Sequence, residues 1–321
     1  MNALNKVSPK NDHTLLRLTD QDFEEILERP LSKFVKQKIK NAQFKYRNLT
    51  SNKRDLVLKK IVDTLLDPNI VNSGKHRKKQ WEKGWGENLE LYKKNQDEEN
   101  VLPKYHGKFP ILRFKQQFIE AVSEKFEYHT LSIIVYWLFD KYFRKNFSVY
   151  EFGCGTGHHL LRLREINSHA TLYGLDWANS SVKLINQIAK KRTDNNLKAK
   201  FFDFFKPDNS FKLGKNAAVY TVAALEQVGT NYQPFTQYLL KNKPSICIHV
   251  EPIAELLDPE NNLLDYLSVQ YFKKRNYLLG FLNYLKKLEQ AKKITIHQAK
   301  RTFIGSLYIE GYSVIVWSPV S

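Results

Sequence analysis

Ser148-Val149-Tyr150-Glu151-Phe152-Gly153-Cys154-Gly155-Thr156-Gly157 is the stretch that decides the fold of this chain. It predicts a short apolar strand that runs into a glycine turn, with a helix that begins near His158. Glycines in such a turn adopt positive φ and let the backbone approach a ligand closely. The spacing is Glu-x-Gly-x-Gly-x-Gly, so His158 stands where a dinucleotide-binding fingerprint has its last glycine. The carboxylate of Glu151 at the strand end suits a cationic or hydroxyl-bearing ligand.

Beyond this turn, strands and helices alternate along the chain. The predicted strands cover residues 147–152, 170–175, 198–202, 217–224, 245–250, 294–303 and 308–318. The predicted helices between them cover residues 157–165, 180–191, 232–241 and 264–292. This alternation predicts a parallel sheet with right-handed crossovers. The connection at residues 304–307 is too short for anything but antiparallel neighbours, so the last two strands are expected to form a hairpin.

Acidic residues lie at the ends of the predicted strands, which is where open α/β sheets bind their ligands. Asp176 ends the second strand, and a carboxylate there can accept both hydroxyls of a ribose. Asp203 ends the third strand and suits the exocyclic amine of an adenine. Phe204 follows it directly and is placed to stack on the adenine ring.

Together, the glycine turn and the two aspartates resemble the class I S-adenosylmethionine (SAM) methyltransferases, from Ser148 to Ser318. The resemblance implies an α/β fold with a seven-stranded, mostly parallel sheet closed by a C-terminal antiparallel hairpin. It also implies SAM as the cofactor and methyltransferase as the enzyme class. The residues then expected to bind SAM are Gly153, Gly155 and Gly157 at the methionine part, Asp176 at the ribose, Asp203 at the adenine, and Glu151, Trp177 and Phe204 beside them.

A general base is expected at the strand ends as well, because the acceptor must lose a proton when it takes the methyl group. In the family that this chain resembles, the fourth strand ends next to the sulfonium, which makes Glu226 the first choice as base or acceptor-orienting residue. His249 and Glu251 are the second choices, His249 because its ordinary pKa suits a base at neutral pH. The Asn/Asp-Pro-Pro-Tyr/Phe motif expected of enzymes that methylate exocyclic base amines is replaced here by Ala224-Leu225-Glu226-Gln227. No paired metal-ligand spacing stands out, so we expect no metal.

The N-terminal part is expected to be a separate region, with a helical, basic extension or lid at residues 1–110 and the SAM-binding domain at 111–321. Helices are predicted at residues 12–70 and 114–143. The acceptor side must come from outside the core sheet, and the candidates are Trp81, Trp85, Arg113 and Tyr308. Aromatic side chains with arginine suit a sugar, a nucleotide-activated sugar or another anionic small molecule as well as they suit RNA.

The net charge of +18 makes polyanions plausible partners. The basic segment Lys33–Lys60 interleaves lysines and arginines with the aromatics Phe34, Phe44 and Tyr46. It is either a nucleic-acid-binding or membrane-surface face or a basic cap whose aromatics pack onto the next domain. Three functions follow: methyl transfer to O or N of a small-molecule or carbohydrate acceptor, which we rank first, methylation of RNA or DNA, and SAM binding without catalysis.

Cysteine usage bears on the compartment. The chain has two cysteines, Cys154 and Cys247, and its first residues, Met1–Asn11, form no apolar stretch. This pattern predicts a cytoplasmic protein without a disulfide framework. No segment reaches the roughly 18 apolar residues that a membrane span requires. The sequence leaves the oligomeric state open.

Overall fold

A computed structural model describes residues 14–320 of the chain. Its helices are α1 Asp20–Leu27, α2 Lys33–Asn41, α3 Ser51–Leu66, α4 Lys78–Asn95, α5 Phe126–Tyr142, α6 His158–Ile166, α7 Asn179–Arg192, α8 Gln233–Asn242, α9 Leu263–Arg275 and α10 Phe281–Gln290. Its strands are β1 Leu16–Arg17, β2 Lys45–Asn48, β3 Ile111–Phe114, β4 Gln117–Ala121, β5 Ser148–Phe152, β6 Thr171–Asp176, β7 Leu197–Phe201, β8 Ala218–Val222, β9 Ile246–Glu251, β10 Ile294–Lys300, β11 Ile304–Gly305 and β12 Ser313–Pro319. The segment Met1–Asn11, for which we predicted no signal peptide, lies outside the described residues.

The larger sheet has seven strands in the order β10-β12-β9-β8-β5-β6-β7. Strands β5 to β9 pair in parallel, whereas β12 runs antiparallel to both β9 and β10. The central strands β8 and β9 are buried along nearly their whole length, as expected for apolar runs in a sheet covered on both faces. The predicted seven-stranded sheet with a C-terminal antiparallel hairpin is confirmed.

A second, smaller sheet is antiparallel and joins distant parts of the chain. Its order is β1-β2-β4-β3-β11, so the N-terminal extension contains strands as well as helices. β11 comes from the connection between β10 and β12 and pairs with β3. That pairing shortens the last two strands of the large sheet, which we predicted to run to residue 303 and from residue 308.

The hairpin β3–β4 occupies part of the segment that we predicted as helix at residues 114–143. Its two-residue loop places Lys115 and Gln116 at φ +46° and +59°. Such loops normally carry Asn-Gly or Asp-Gly, because those residues tolerate positive φ, and the sequence offers no such signal here. The helical part begins only at α5. The predicted helix at residues 264–292 is likewise two helices, because Asn276 and Gly280 both adopt positive φ between them.

The N-terminal extension shares its core with the large sheet. Phe44 is completely buried, and its ring centroid lies 5.4 Å from that of Phe23 and 5.6 Å from that of Phe126. In the basic segment Lys33–Lys60, all three aromatics contact other rings of the fold: Phe34 lies against Tyr136, and Tyr46 lies against Phe114. The aromatics of this segment therefore pack inward, as a basic cap would place them.

Several lysines of the same segment are neutralised by ion pairs. Lys38 pairs with Glu165 at the end of α6, and Lys53 pairs with Glu120 on β4 at 2.9 Å. Over residues 14–320, no helix combines the length and apolarity that crossing a bilayer demands.

Candidate active site

The glycine turn after β5 lies against the loop that follows β8. Gly153 has φ +72°, and its N–H donates to the carbonyl of Leu175 at 2.7 Å. A Cβ at this position would lie 2.4 Å from the Cβ of Ala224 and 3.2 Å from the ring of Phe204. Glycine is therefore required here both by the backbone conformation and by space. Only with glycine can the ends of β5, β6 and β8 meet around one cleft.

This cleft opens at the carboxyl ends of the parallel strands. About 480 Å³ of space lies within it, part of which is open to solvent. It is lined by Trp81, Trp85, Gly153, Asp176, Trp177, Phe202, Phe204, Phe205, Ala223, Ala224, Gln227 and Val228. Six of these side chains are aromatic, and few are polar, so the cleft suits a flat ring with a small number of hydroxyls or amines.

Asp176 is the buried carboxylate of the cleft. One oxygen accepts the N–H of Gly155 at 2.8 Å, and the other accepts the N–H of Ala178 at 2.9 Å. Burial raises the pKa of Asp176 to about 6, and these backbone hydrogen bonds act in the opposite direction. Each oxygen keeps a further lone pair, so the carboxylate ties the glycine turn to β6 and can still accept hydroxyls from a ligand.

The neighbouring strand end forms the aromatic wall. Asp203 accepts the N–H of Phe205 at 2.8 Å, which fixes the turn that carries Phe204 into the cleft. Trp177 stacks with Phe205 at 5.8 Å between ring centroids. The Asp203 side chain is partly exposed and lies outside the set of residues that line the cleft.

Helix α4 covers the cleft. Its Glu82 carboxylate accepts the N–H groups of Asn179 and Ser180 at 2.7 and 2.9 Å, which docks α4 onto the N-terminus of α7. Trp81 and Trp85 then stack on each other at 5.3 Å, and Trp85 lies directly over Gly155. The indole N–H of Trp81 is buried without a partner among residues 14–320, although it belongs to a cleft-lining side chain. A donor left in this state indicates a ligand acceptor.

Glu226 stands at the other end of the cleft, in the short 3₁₀ turn that follows β8. It adjoins Gln227, which lines the cleft and donates to Glu226 Oε1 at 2.9 Å. Burial raises the pKa of Glu226 to about 8, and the nearby charge of Glu251 raises it further. A carboxylate whose pKa lies near 8 can accept a proton at neutral to alkaline pH.

The comparisons with known proteins agree with this geometry. Residues 143–259 match a family model described as a methyltransferase domain. The match agrees with the class I methyltransferase resemblance that the glycine turn and the strand-end aspartates indicate in this segment. SAM-dependent methyltransferase is therefore the enzyme class, and SAM is the cofactor. None of the curated proteins matches the chain.

Solved structures of methyltransferases match the chain at low identity. Magnesium protoporphyrin IX methyltransferase from Synechocystis, with bound S-adenosylhomocysteine (SAH), is 16% identical; the match covers 60% of this chain and 82% of that chain, with a TM-score of 0.43. An O-methyltransferase from neocarzinostatin biosynthesis is 12% identical over 61% of this chain and 58% of that one, with a TM-score of 0.42. Geranyl diphosphate C-methyltransferase from Streptomyces coelicolor is 12% identical; the match covers 73% of this chain and 97% of that chain, with a TM-score of 0.45.

Two acidic residues that we predicted at the site form hydrogen bonds within the protein and do not line the cleft. Glu251 is fully buried, and its oxygens accept the N–H groups of Ala224, Leu225 and Glu226 at 3.1, 3.0 and 3.2 Å. It fixes the loop that carries Glu226, so its position differs from the one that we predicted for a base. Glu151 accepts the hydroxyl of Tyr220 at 2.9 Å beneath the glycine turn and does not line the cleft.

His249 lies away from the cleft, contrary to its predicted place in catalysis. Its ring is completely buried; Nδ1 bonds to Thr221 Oγ1 at 2.9 Å, and Nε2 accepts the indole N–H of Trp317 at 3.0 Å. The ring also packs edge-on to Phe281 of α10. Both nitrogens are thus occupied, and burial lowers the pKa of His249 to about 3.

The predicted acceptor residues divide into two groups. Trp81 and Trp85 line the cleft, as described above. Arg113 is buried under the small sheet, where it donates to the carbonyls of Leu264 and Tyr308 and to the hydroxyl of Ser268, so it cannot reach an acceptor. Tyr308 stacks on Tyr271 at 5.0 Å, at the side of Glu226 rather than in the cleft.

Three residues near the cleft were not predicted from the sequence. Arg77 directly precedes α4, Glu82 lies within α4, and Arg275 is at the end of α9. Arg77 belongs to the basic run His76-Arg77-Lys78-Lys79, and Arg275 is the last residue of α9. Neither position carries a local signal, because their meeting depends on how α4 and α9 pack. Within residues 14–320, no group of three His, Cys, Asp or Glu side chains has the arrangement of a metal site.

Proposed function

We propose that this enzyme transfers the methyl group of SAM to an oxygen or nitrogen of a small-molecule or carbohydrate acceptor, with Glu226 as the base. The observation that carries the proposal is the position of the Glu226 carboxylate. It lies at the end of β8 beside the cleft, with its pKa raised to about 8 by burial. Glu251, the other carboxylate that we predicted to be catalytic, accepts three backbone hydrogen bonds.

The residues that we predicted to bind SAM lie in the cleft or beside it, which supports the following arrangement. Asp176 would accept the ribose hydroxyls, and Asp203 with Phe204 would hold the adenine against the aromatic wall. The glycine turn, at Gly153 and Gly155, would admit the methionine part, because a Cβ at Gly153 would collide with Ala224. Trp177 and Trp81 would cover the adenosine from two sides.

On the acceptor side, the chain would supply a base. Bound SAM supplies a methyl group on a sulfonium, which is already a strong electrophile. Glu226 would take the proton of the acceptor O–H or N–H as the acceptor's lone pair forms the new bond to the methyl carbon. The C–S electron pair then stays on sulfur, SAH leaves, and the proton leaves Glu226 to water. Charge is balanced, and no further reactant is needed.

A small acceptor is favoured by the surroundings of Glu226. Glu226 is half-buried beside the cleft, and α4 is fixed over the cleft by the contact of Glu82 with α7. A base stacked in a nucleic acid would have to be extruded to reach this depth. The inward packing of Phe44 and Tyr46 also removes the aromatic platform that single-stranded RNA binding uses. The cytoplasmic location and the nucleic-acid alternative stay predictions.

The test is incubation of the purified protein with methyl-labelled SAM and a metabolite extract of its source, followed by nuclease and protease treatment. We expect label in a product that resists both enzymes. Glu226→Gln, which keeps the shape and removes the base, should reduce labelling by about 100-fold or more. Glu260→Gln is the matched control, because Glu260 is exposed and distant from the cleft.

Other outcomes would contradict the proposal in defined ways. Label that nuclease removes would make a nucleic acid the acceptor. SAM binding with no labelled product from any extract fraction would support a non-catalytic role. Full activity of Glu226→Gln would leave the class of enzyme unchanged and would remove Glu226 as the base.

A further inference from the structure

Two arginines from distant parts of the chain lie beside Glu226. Arg77, which precedes α4, donates from Nη1 to Gln227 Oε1 at 2.8 Å, and Gln227 in turn donates to Glu226 at 2.9 Å. Arg275, at the end of α9, donates to the hydroxyl of Tyr277 at 3.3 Å. Both positive charges lower the pKa of Glu226, against the larger effect of burial. Arg77 is therefore linked to the proposed base through Gln227, and the charge of Arg275 acts on the same carboxylate.

Neither guanidinium has the partners that a buried arginine normally has. Within residues 14–320, the hydrogen-bond acceptors of their side chains are uncharged: Gln80 and Gln227 for Arg77, and Tyr277 for Arg275. Nε of Arg275 is buried without any partner in that range. Arg77 itself is only 8% exposed. A buried cation without a carboxylate is costly, and a buried N–H without an acceptor adds to that cost.

Arg301 shows how the same fold treats a structural arginine. Its guanidinium forms four hydrogen bonds, two to the Asp265 carboxylate at 2.8 Å and two to that of Glu310 at 2.8 and 2.6 Å. By contrast, Arg77 and Arg275 have no carboxylate bound to their guanidinium groups: burial lowers the pKa of Arg77 and the charge of Arg275 lowers it further, while the more distant charge of Glu226 raises the pKa of both. An anion between them would supply what Arg301 receives from the protein.

Aromatic rings surround the arginine pair. Arg77 lies over the Trp81 ring, with Cζ 5.2 Å from the centroid, and Arg275 lies 5.3 Å from that of Tyr277. Tyr271 is 6.1 Å from Tyr277 and stacks on Tyr308. Aromatic faces pack well against the C–H faces of a sugar ring, and guanidinium forks match the oxygens of phosphate and carboxylate.

We propose that Arg77 and Arg275 form an oxyanion subsite that binds a phosphate or carboxylate group of the acceptor, next to the atom that Glu226 deprotonates. The acceptor is then an anionic sugar, either a sugar phosphate or nucleotide-activated sugar, or a uronic acid. This inference rests on the proposed function for its place beside the methyl-transfer centre, but oxyanion binding can be measured without turnover.

The test is isothermal titration of the full chain, saturated with SAH, with sodium pyrophosphate and, separately, with glucuronate. We expect at least one of the two probes to bind. Arg77→Gln and Arg275→Gln should each weaken that binding by about tenfold or more, because each removes charge-assisted hydrogen bonds. Arg275→Lys keeps the charge and should lose less. Lys79→Gln and Lys273→Gln remove the same charge from exposed positions nearby and should bind as the wild type does.

Thermal unfolding separates binding from a structural role. Because each glutamine variant removes only hydrogen bonds to uncharged groups, its melting temperature without probe should stay close to that of the wild type. The rise in melting temperature that the probe causes in the wild type should be lost. Variants that melt lower while binding the probe normally would make the arginines structural and overturn the proposal, as would absence of binding of both probes to the wild type.

The two probes also identify the anion, since pyrophosphate binding alone indicates a phosphate acceptor and glucuronate binding alone a uronic acid. Failure of the subsite and failure of the proposed function are distinguishable. A protein that binds pyrophosphate through Arg275 yet labels no product would retain the subsite and lose the function. If the protein labels a neutral product and binds neither probe, the proposed function stands and the oxyanion subsite is wrong.

Discussion

Replacing Asp176 by asparagine tests the centre of the cofactor cleft and needs no acceptor. In the wild type, one carboxylate oxygen accepts the Gly155 N–H and the other accepts the Ala178 N–H, at 2.8 and 2.9 Å. Asparagine keeps one oxygen and turns the other acceptor into an NH₂ donor that faces a backbone N–H. The side chain then loses its charge, one backbone hydrogen bond and one hydrogen bond to a ribose hydroxyl.

The size of the effect on binding follows from the ligand hydrogen bond, because the backbone bond is lost from free and bound protein alike. A hydrogen bond to a charged group contributes about 1.5–3 kcal/mol, which corresponds to SAH binding that is about 10- to 150-fold weaker. Isothermal titration with SAH measures this directly. Asp208→Asn is the control, because Asp208 is exposed and away from the cleft. An SAH affinity of Asp176→Asn within twofold of the wild type, with an unchanged circular dichroism spectrum, would refute the ribose assignment.

Three further predictions follow from the same site. Because burial raises the pKa of Glu226 to about 8 and the base must be ionised, methyl transfer at saturating SAM should rise about tenfold from pH 7 to pH 9; the rise should disappear in Glu226→Gln, and its persistence would assign the titration to another group. Because burial raises the pKa of Asp176 to about 6, SAH binding should be about tenfold weaker at pH 5 than at pH 8, where the carboxylate is ionised; titrations with equal affinity at both values would contradict this. Gly153→Ala should lower the free energy of unfolding by about 1–3 kcal/mol and abolish SAH binding, since φ is +72° and the new Cβ would collide with Ala224. The control is Gly84→Ala, in open space within α4, which should leave the free energy of unfolding unchanged or raise it in the same denaturant titration.

Docking of α4 decides much of the site and has no local signal in the sequence. Glu82 holds the helix on the N-terminus of α7, nearly a hundred positions along the chain. This contact places Trp81 and Trp85 over the glycine turn, where we expected them on the acceptor side of the site. A helix propensity or hydrophobic period describes residues three or four positions apart and carries no information on such a partner.

His249 and Glu251 show the same limit within one strand. Both lie near the end of β9, and the sequence pattern treats them alike. Only packing separates them: the ring of His249 lies under α10 with Thr221 and Trp317, whereas Glu251 reaches past the strand end to the loop after β8. The β3–β4 hairpin was missed for a local reason, since Lys115 and Gln116 are not residues that usually adopt positive φ.

The sequence by itself determined the order of strands and helices, the glycine turn, and the acidic residues Asp176 and Asp203 at the ends of neighbouring strands. These features depend on apolar runs and turn residues that are adjacent in the chain, so they can be read locally. The tertiary structure alone decided that Glu251 is held by three backbone N–H groups and that Arg77 is linked to Glu226 through Gln227. Those properties depend on burial and on contacts between residues far apart in sequence, which are set when α4 and α9 pack against the sheet.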